Sequence, residues 1–166
     1  MASGSRNERD EMPRGHRMQF EFASLLLRLS LGAGFLSAVA DRFGIWGPLG
    51  TSSVAWGNFH NFVAYTATLN PWSPAAMVPA LAWIATFAET VLGVLLVTGL
   101  MLRAAALLSG LLTLAFGLSM TAVLGIHDPL NYGVFVYVAG SWLLAACAAY
   151  DRWTLDAVIA RRKRHV

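Results

Sequence analysis

The chain contains 166 residues, of which 57% are hydrophobic and 13% are charged. A soluble domain carries roughly 25% charged residues, so this composition excludes an ordinary soluble domain and favours a chain surrounded mostly by lipid. The net charge is +3, and the basic residues are concentrated in the two tails. This distribution is typical of membrane topology signals. It gives no reason to expect a nucleic-acid partner.

Four apolar segments are long enough to cross a bilayer, which takes about 20 residues of helix. They cover residues 22–43, 74–100, 103–124 and 132–150. Ser73 and Pro74 are a helix-start signal at the second segment. We therefore expect an all-α membrane protein, a four-transmembrane-helix antiparallel bundle over residues 21–150, with a polar tail at 1–20 and a basic tail at 151–166.

The long connection at residues 44–73 contains no charged side chain. Its aromatic content argues against disorder, and the spacing of apolar residues over positions 56–69 predicts an amphipathic surface helix. Trp46, Trp56 and Trp72 suit an interfacial aromatic belt. We expect this segment to lie at the membrane surface or to fold over the outer mouth of the bundle.

Orientation follows from the distribution of arginine and lysine. The N-terminal tail has four arginines, the C-terminal tail has five basic residues, and Arg103 lies in the short turn between the second and third segments. The positive-inside rule places these regions in the cytoplasm. The sequence therefore predicts a multi-pass protein of the cell's inner (plasma) membrane with both termini cytoplasmic.

Two charged residues lie inside the predicted spans, Arg28 in the first and Glu89 in the second. Each charge costs about 2.5–3.5 kcal/mol in the hydrocarbon on the insertion scale, and pairing the two would remove much of that cost. We expect a buried Arg28–Glu89 pair. It would either fix helix packing or handle protons or lipid headgroups.

A second polar group is expected at the outer face, and its candidate members are Asp41, Arg42, His60, His127, Asp128 and Asn131. Together with the aromatic loop they could form a quinone site, which typically offers an aromatic slot and a histidine or carboxylate for the carbonyl oxygens. The alternative is ordinary turn chemistry at Asp128, with Arg42 snorkelling to the interface.

Metal and dithiol chemistry are not expected. The four histidines have no HxxxH or HxxE spacing within a helix. The single cysteine, Cys147, excludes an internal disulfide and a CxxC redox centre within this chain.

The stretch LLLRLSLGAGFL around Arg28, and the spacing of Glu89, Gly93, Gly99 and Arg103 in ETVLGVLLVTGLMLR, resemble the DoxX family. The resemblance covers residues 22–150 and implies a four-helix membrane bundle. One departure is Asp41-Arg42, where family members often have glycine and lysine, and arginine does not replace lysine in hydrogen bonding.

The DoxX family includes a small membrane subunit of a thiosulfate:quinone oxidoreductase, subunits of redox complexes, and membrane chaperones or receptors. We therefore expect a membrane subunit of a quinone-linked oxidoreductase, with quinone as a non-covalent cofactor and lipids, other membrane subunits or further copies of the chain as partners. The alternatives are a non-catalytic assembly factor or scaffold, and a small-solute or proton transporter using Glu89.

Overall fold

The computed structural model describes residues 14–163, and within that range it contains helices and no strand. Four helices are long and apolar enough to cross a membrane, as predicted. The predicted tails lie partly outside the described residues, at 1–13 and 164–166.

The described chain contains long membrane-length helices and shorter helices that lie between or after them. Their bounds are α1 Arg14–Arg42, α2 Phe59–Leu69, α3 Val78–Thr98, α4 Leu102–Leu124, α5 His127–Asn131, α6 Val134–Cys147 and α7 Leu155–Lys163. A single 3₁₀ turn, Ala75–Met77, precedes α3, and another, Ala148–Tyr150, follows α6. The fourth membrane-length segment, Val134–Arg162, contains α6, the second turn and nearly all of α7, with residues 151–154 outside any helix.

Several helix starts differ from their predicted positions, and α3 begins at Val78 rather than at residue 74. The first span begins at Arg14 rather than at residue 22, and Arg17 and Glu21 form an ion pair of 3.5 Å at the helical i, i+4 spacing within this extension. The connecting helix α2 begins at Phe59 rather than at position 56, because the Asn58 side chain accepts a hydrogen bond from the backbone N–H of Asn61 and caps the helix there.

The core lies where α1, α3, α4 and α6 meet, and small residues let the helices approach closely. A methyl group added at Gly32 would lie 2.7 Å from Val97 and 3.0 Å from the carbonyl oxygen of Gly93. Leucine and alanine side chains fill the remaining volume: Leu31, Leu92, Leu96, Leu102, Ala105, Ala106, Leu144 and Ala145.

The contacts between α1 and α3 define how the two helices are aligned. Gly32 lies against Gly93 and Val97, whereas Phe43 lies against Trp83. Residues late in α1 therefore face residues early in α3. This alignment decides which charged side chains can meet.

Candidate functional site

A buried ion pair joins α1 to α3. The Arg42 Nη2 atom lies 2.8 Å from Glu89 Oε1 and 2.7 Å from Glu89 Oε2, and each side chain is 3% exposed. The Nη1 atom of Arg42 donates to Thr86 Oγ1 at 2.9 Å, and Thr86 in turn donates to the Ala82 carbonyl. Glu89 and Thr86 are three residues apart, so they present both acceptors on one face of α3.

Aromatic side chains of the connection cover this pair. The guanidinium carbon of Arg42 lies 3.6 Å from the ring centre of Phe62 and 5.2 Å from that of Trp56. Such cation–π contacts are stronger when the cation is shielded from water. Arg42 thus binds Glu89 on one side and supports α2 on the other.

Asp41, the neighbour of Arg42, holds the connection at a second point. Its carboxylate accepts hydrogen bonds from three consecutive backbone N–H groups, those of Ala55, Trp56 and Gly57, at 2.9, 3.0 and 3.3 Å. The side chain is buried. The carboxylate therefore fixes the segment that leads into α2.

The predicted Arg28–Glu89 pair is not formed, since Glu89 pairs with Arg42. Arg28 instead donates from Nη2 to the Trp153 carbonyl at 2.8 Å, and its Nη1 lies 3.8 Å from Asp151 Oδ2. The helix alignment explains the difference. Arg28 and Arg42 are 14 residues apart, about 21 Å along a helix, so Glu89 can reach only one of them.

The alternative in which Arg42 snorkels to the interface is contradicted, because the side chain turns inward and is almost fully buried. The hydroxyl of Thr86 and the carboxylate of Glu89 lie within hydrogen-bonding distance and hold the guanidinium inside the bundle. The two residues that the sequence flagged at the end of α1 therefore both serve buried contacts.

The remaining members of the predicted outer group do not join this cluster. His127 and Asn131 contact one another at 3.1 Å on the exposed surface of α5, and the His127 side chain is 83% exposed. Asp128 lies 3.8 Å from His127. Asp128 is also near Tyr65 of α2. Burial raises the pKa of the Tyr65 phenol above its usual 10.0, and the charges of Tyr132 and Asp128 raise it further.

His60 lies in a groove between α2 and the start of α3. The groove has a volume of about 310 Å³, within the range of small-molecule sites. Its walls are mainly apolar, with Val63, Ala67 and Val78 among them, and its polar side chains are those of His60, Asn70 and Ser73. The groove thus combines an apolar surface with three polar side chains. Within residues 14–163, no group of three His, Cys, Asp or Glu side chains is placed to hold a metal ion.

Several residues in these contacts were not anticipated. Thr86 could have been found from its position one turn before Glu89 on the same helical face. Asp151, which accepts from Ser24 Oγ at 2.9 Å as well as pairing with Arg28, is the first charged residue after the fourth predicted span. Its partners lie more than 120 residues away, and sequence spacing gives no signal for them.

Comparisons with family models, with curated proteins and with solved structures find no match to this chain. Its function therefore has to be inferred from the chemistry of its own residues.

Proposed function

We propose that this chain is a DoxX-like membrane subunit that holds a quinone for a redox partner. The observation that carries the proposal is the apolar groove with His60, Asn70 and Ser73 among its lining residues. A quinone ring is flat and apolar, and its two carbonyl oxygens accept hydrogen bonds. An imidazole N–H and a side-chain amide are suitable donors.

The buried ion pair supports this site indirectly. Arg42 contacts Phe62 on one face of α2, while His60, Val63 and Ala67 of the same helix line the groove. By anchoring α2, the Arg42–Glu89 pair keeps one wall of the groove in place. We assign it this positioning role rather than a direct contact with the quinone.

The redox centre belongs to the partner subunit in this proposal. The partner oxidises its own substrate and transfers two electrons to the bound quinone, which takes up two protons from water and leaves as quinol. The present chain contributes the binding groove and the membrane anchor.

We further propose that the four spans form an antiparallel bundle with both termini in the cytoplasm and α2 at the outer surface of the cell's inner membrane. Two pairs of contacts support opposite directions for neighbouring helices. They are Gly32 with Val97 and Phe43 with Trp83 for α1 and α3, and Gly110 with Trp142 and Gly117 with Val134 for α4 and α6. The arginines of both tails and Arg103, at the start of α4, support the orientation.

The test of quinone binding uses the full chain in lipid nanodiscs and a short-tailed ubiquinone. Quinones quench tryptophan fluorescence, and Trp72 lies between two residues that line the groove, Pro71 and Ser73. We expect quenching that saturates with quinone concentration. His60→Ala should lower the affinity for quinone by about tenfold, because the lost hydrogen bond contributes about 1 to 1.5 kcal/mol.

His127→Ala is the matched control, because it removes an exposed histidine that lies outside the groove. Its affinity should equal that of the unsubstituted chain. Quenching that does not saturate, or equal affinities for the two histidine variants, would refute the assignment of the groove.

A non-catalytic assembly factor or scaffold is the second candidate, and one observation favours it. The charged side chains buried in the spans are paired within the chain, Arg42 with Glu89 and Arg28 with Asp151. Such a bundle could serve as a rigid support for another membrane protein. Crosslinking at native expression should then capture one stable partner protein. The His60→Ala variant should capture that partner as well as the unsubstituted chain does. Failure to capture any partner would exclude this role.

Proton or solute transport through Glu89 gains no support from the site. The carboxylate is held by Arg42 and lies beneath α2. A proton carrier needs a carboxylate that exchanges protons with both sides of the membrane.

A further inference from the structure

The segment after α6 folds back against the turn between α3 and α4. The Asp156 carboxylate accepts hydrogen bonds from the backbone N–H groups of Met101 and Leu102, each at 2.9 Å. The backbone N–H of Asp156 donates to the Gly99 carbonyl at 3.3 Å. These bonds fix the start of α7 relative to the long helices.

This placement brings three arginines around one groove of about 370 Å³, hereafter the basic groove. Arg17 comes from α1, Arg152 from the segment before α7, and Arg161 from α7 itself. Glu21 is the one carboxylate in its lining, 3.5 Å from Arg17 and 3.9 Å from Arg152. Three guanidinium groups against one carboxylate leave the groove with two excess positive charges.

The basic groove also has apolar walls that continue towards the membrane. Met18 and Trp153 line it, and both are exposed. From Met18, exposed apolar side chains follow the same face of α1 at helical spacing, through Phe22 and Leu26 to Leu29. An apolar stripe thus runs from the charged groove along the first membrane-length helix.

We propose that the basic groove binds the phosphate headgroup of an anionic phospholipid, with an acyl chain lying along the stripe from Met18 to Leu29. Arginine provides paired N–H donors that match phosphate oxygens. The stripe gives a reason to prefer a lipid to a free phosphate, because a soluble anion has nothing to place there. This site is separate from the proposed quinone groove and does not depend on it.

The experiment uses the full chain, delipidated in mild detergent and then mixed with phosphatidylglycerol or with phosphatidylcholine of the same acyl composition. Native mass spectrometry counts the lipids that stay bound. We expect phosphatidylglycerol to be retained preferentially. Arg17→Gln and Arg161→Gln should each weaken retention by about fivefold, the effect expected for one arginine near an anionic lipid.

Arg103→Gln is the matched control. It removes the same charge from an exposed position beside the α3–α4 turn, and Arg103 does not line the basic groove. Retention of phosphatidylglycerol should be unchanged in this variant, and thermal unfolding should verify that all three variants are folded.

Two outcomes would overturn the proposal. Equal losses in Arg103→Gln and Arg161→Gln would mean that only net charge matters. Binding of glycerol 3-phosphate at the same concentration as phosphatidylglycerol would show that the groove takes a soluble phosphate and that the stripe has no role.

Discussion

The guanidinium of Arg42 lies 2.7 Å from the carboxylate of Glu89, across the contact between the end of α1 and the middle of α3. Both side chains are buried, and the ring of Phe62 lies against the guanidinium. This pair therefore connects two membrane-length helices to the connecting helix α2.

We expect Arg42→Met and Glu89→Gln each to lower the free energy of unfolding by about 3–5 kcal/mol, because each leaves its partner with an unpaired group away from water. Chemical unfolding of the purified chain in detergent measures this change. The double variant Arg42→Met/Glu89→Gln removes both charges and should be less destabilised than the sum of the two single changes.

Arg103→Met serves as the control for loss of a positive charge, since Arg103 is exposed. Its free energy of unfolding should change by less than about 0.5 kcal/mol. Additive effects of the Arg42 and Glu89 substitutions would contradict the pairing.

Gly32 should not accept even a single methyl group without loss of stability. The added atom would meet Val97 at 2.7 Å and the Gly93 carbonyl oxygen at 3.0 Å, both closer than ordinary van der Waals contact. Gly32→Ala must therefore push α1 away from α3, and overpacking of this kind costs about 1–3 kcal/mol. The unfolding assay used for the ion pair measures the effect.

Gly34 offers a matched comparison on the same helix. A methyl group there meets only Tyr137, at 3.7 Å, which is an ordinary contact. Gly34→Ala should leave stability unchanged or raise it by up to about 1 kcal/mol, the difference in helix propensity between glycine and alanine. Equal destabilisation by the two substitutions would be inconsistent with close packing at Gly32.

Asp41→Asn should loosen the connection before α2 while leaving the long helices intact. An uncharged amide accepts weaker hydrogen bonds than a carboxylate does, and three backbone N–H groups depend on this side chain. Hydrogen exchange should accelerate at the amides of Ala55, Trp56 and Gly57, with little change in α3 and α4.

Asp128→Asn is the control for that experiment. Asp128 is partly exposed and contacts His127 on the surface. Its substitution should leave exchange at residues 55–57 unaltered. If Asp41→Asn also left those amides unchanged, the carboxylate would have no anchoring role.

The membrane-length helices could be predicted because hydrophobic length needs no knowledge of the neighbouring helices. The sequence also predicts that four charged residues matter, because a charge in an apolar segment needs a partner wherever it lies. They are Arg28, Asp41, Arg42 and Glu89. All four are buried, and all four form hydrogen bonds or ion pairs.

The choice of partner could not be predicted in the same way. It depends on how far α1 is displaced along α3, and that alignment is set by the contact of Gly32 with Gly93 and Val97. A shift of about 21 Å separates the Arg42 pairing from the one expected for Arg28. The sequence groups His127 and Asp128 with Asp41 because all three lie towards the predicted outer face. In the structure His127 contacts Asn131 and Asp128, whereas Asp41 binds the backbone at residues 55–57.

The Arg42–Glu89 pair also affects how the helices insert into the membrane during synthesis. Arg42 precedes Glu89 by 47 residues, so α1 enters the membrane while its arginine still has no carboxylate partner. The charge remains uncompensated until α3 arrives beside α1 at the axial position where Gly32 meets Gly93. A hairpin inserted one turn out of alignment, about 5.4 Å away, would lose both contacts together. The pair therefore makes correct insertion of α3 depend on where α1 already lies.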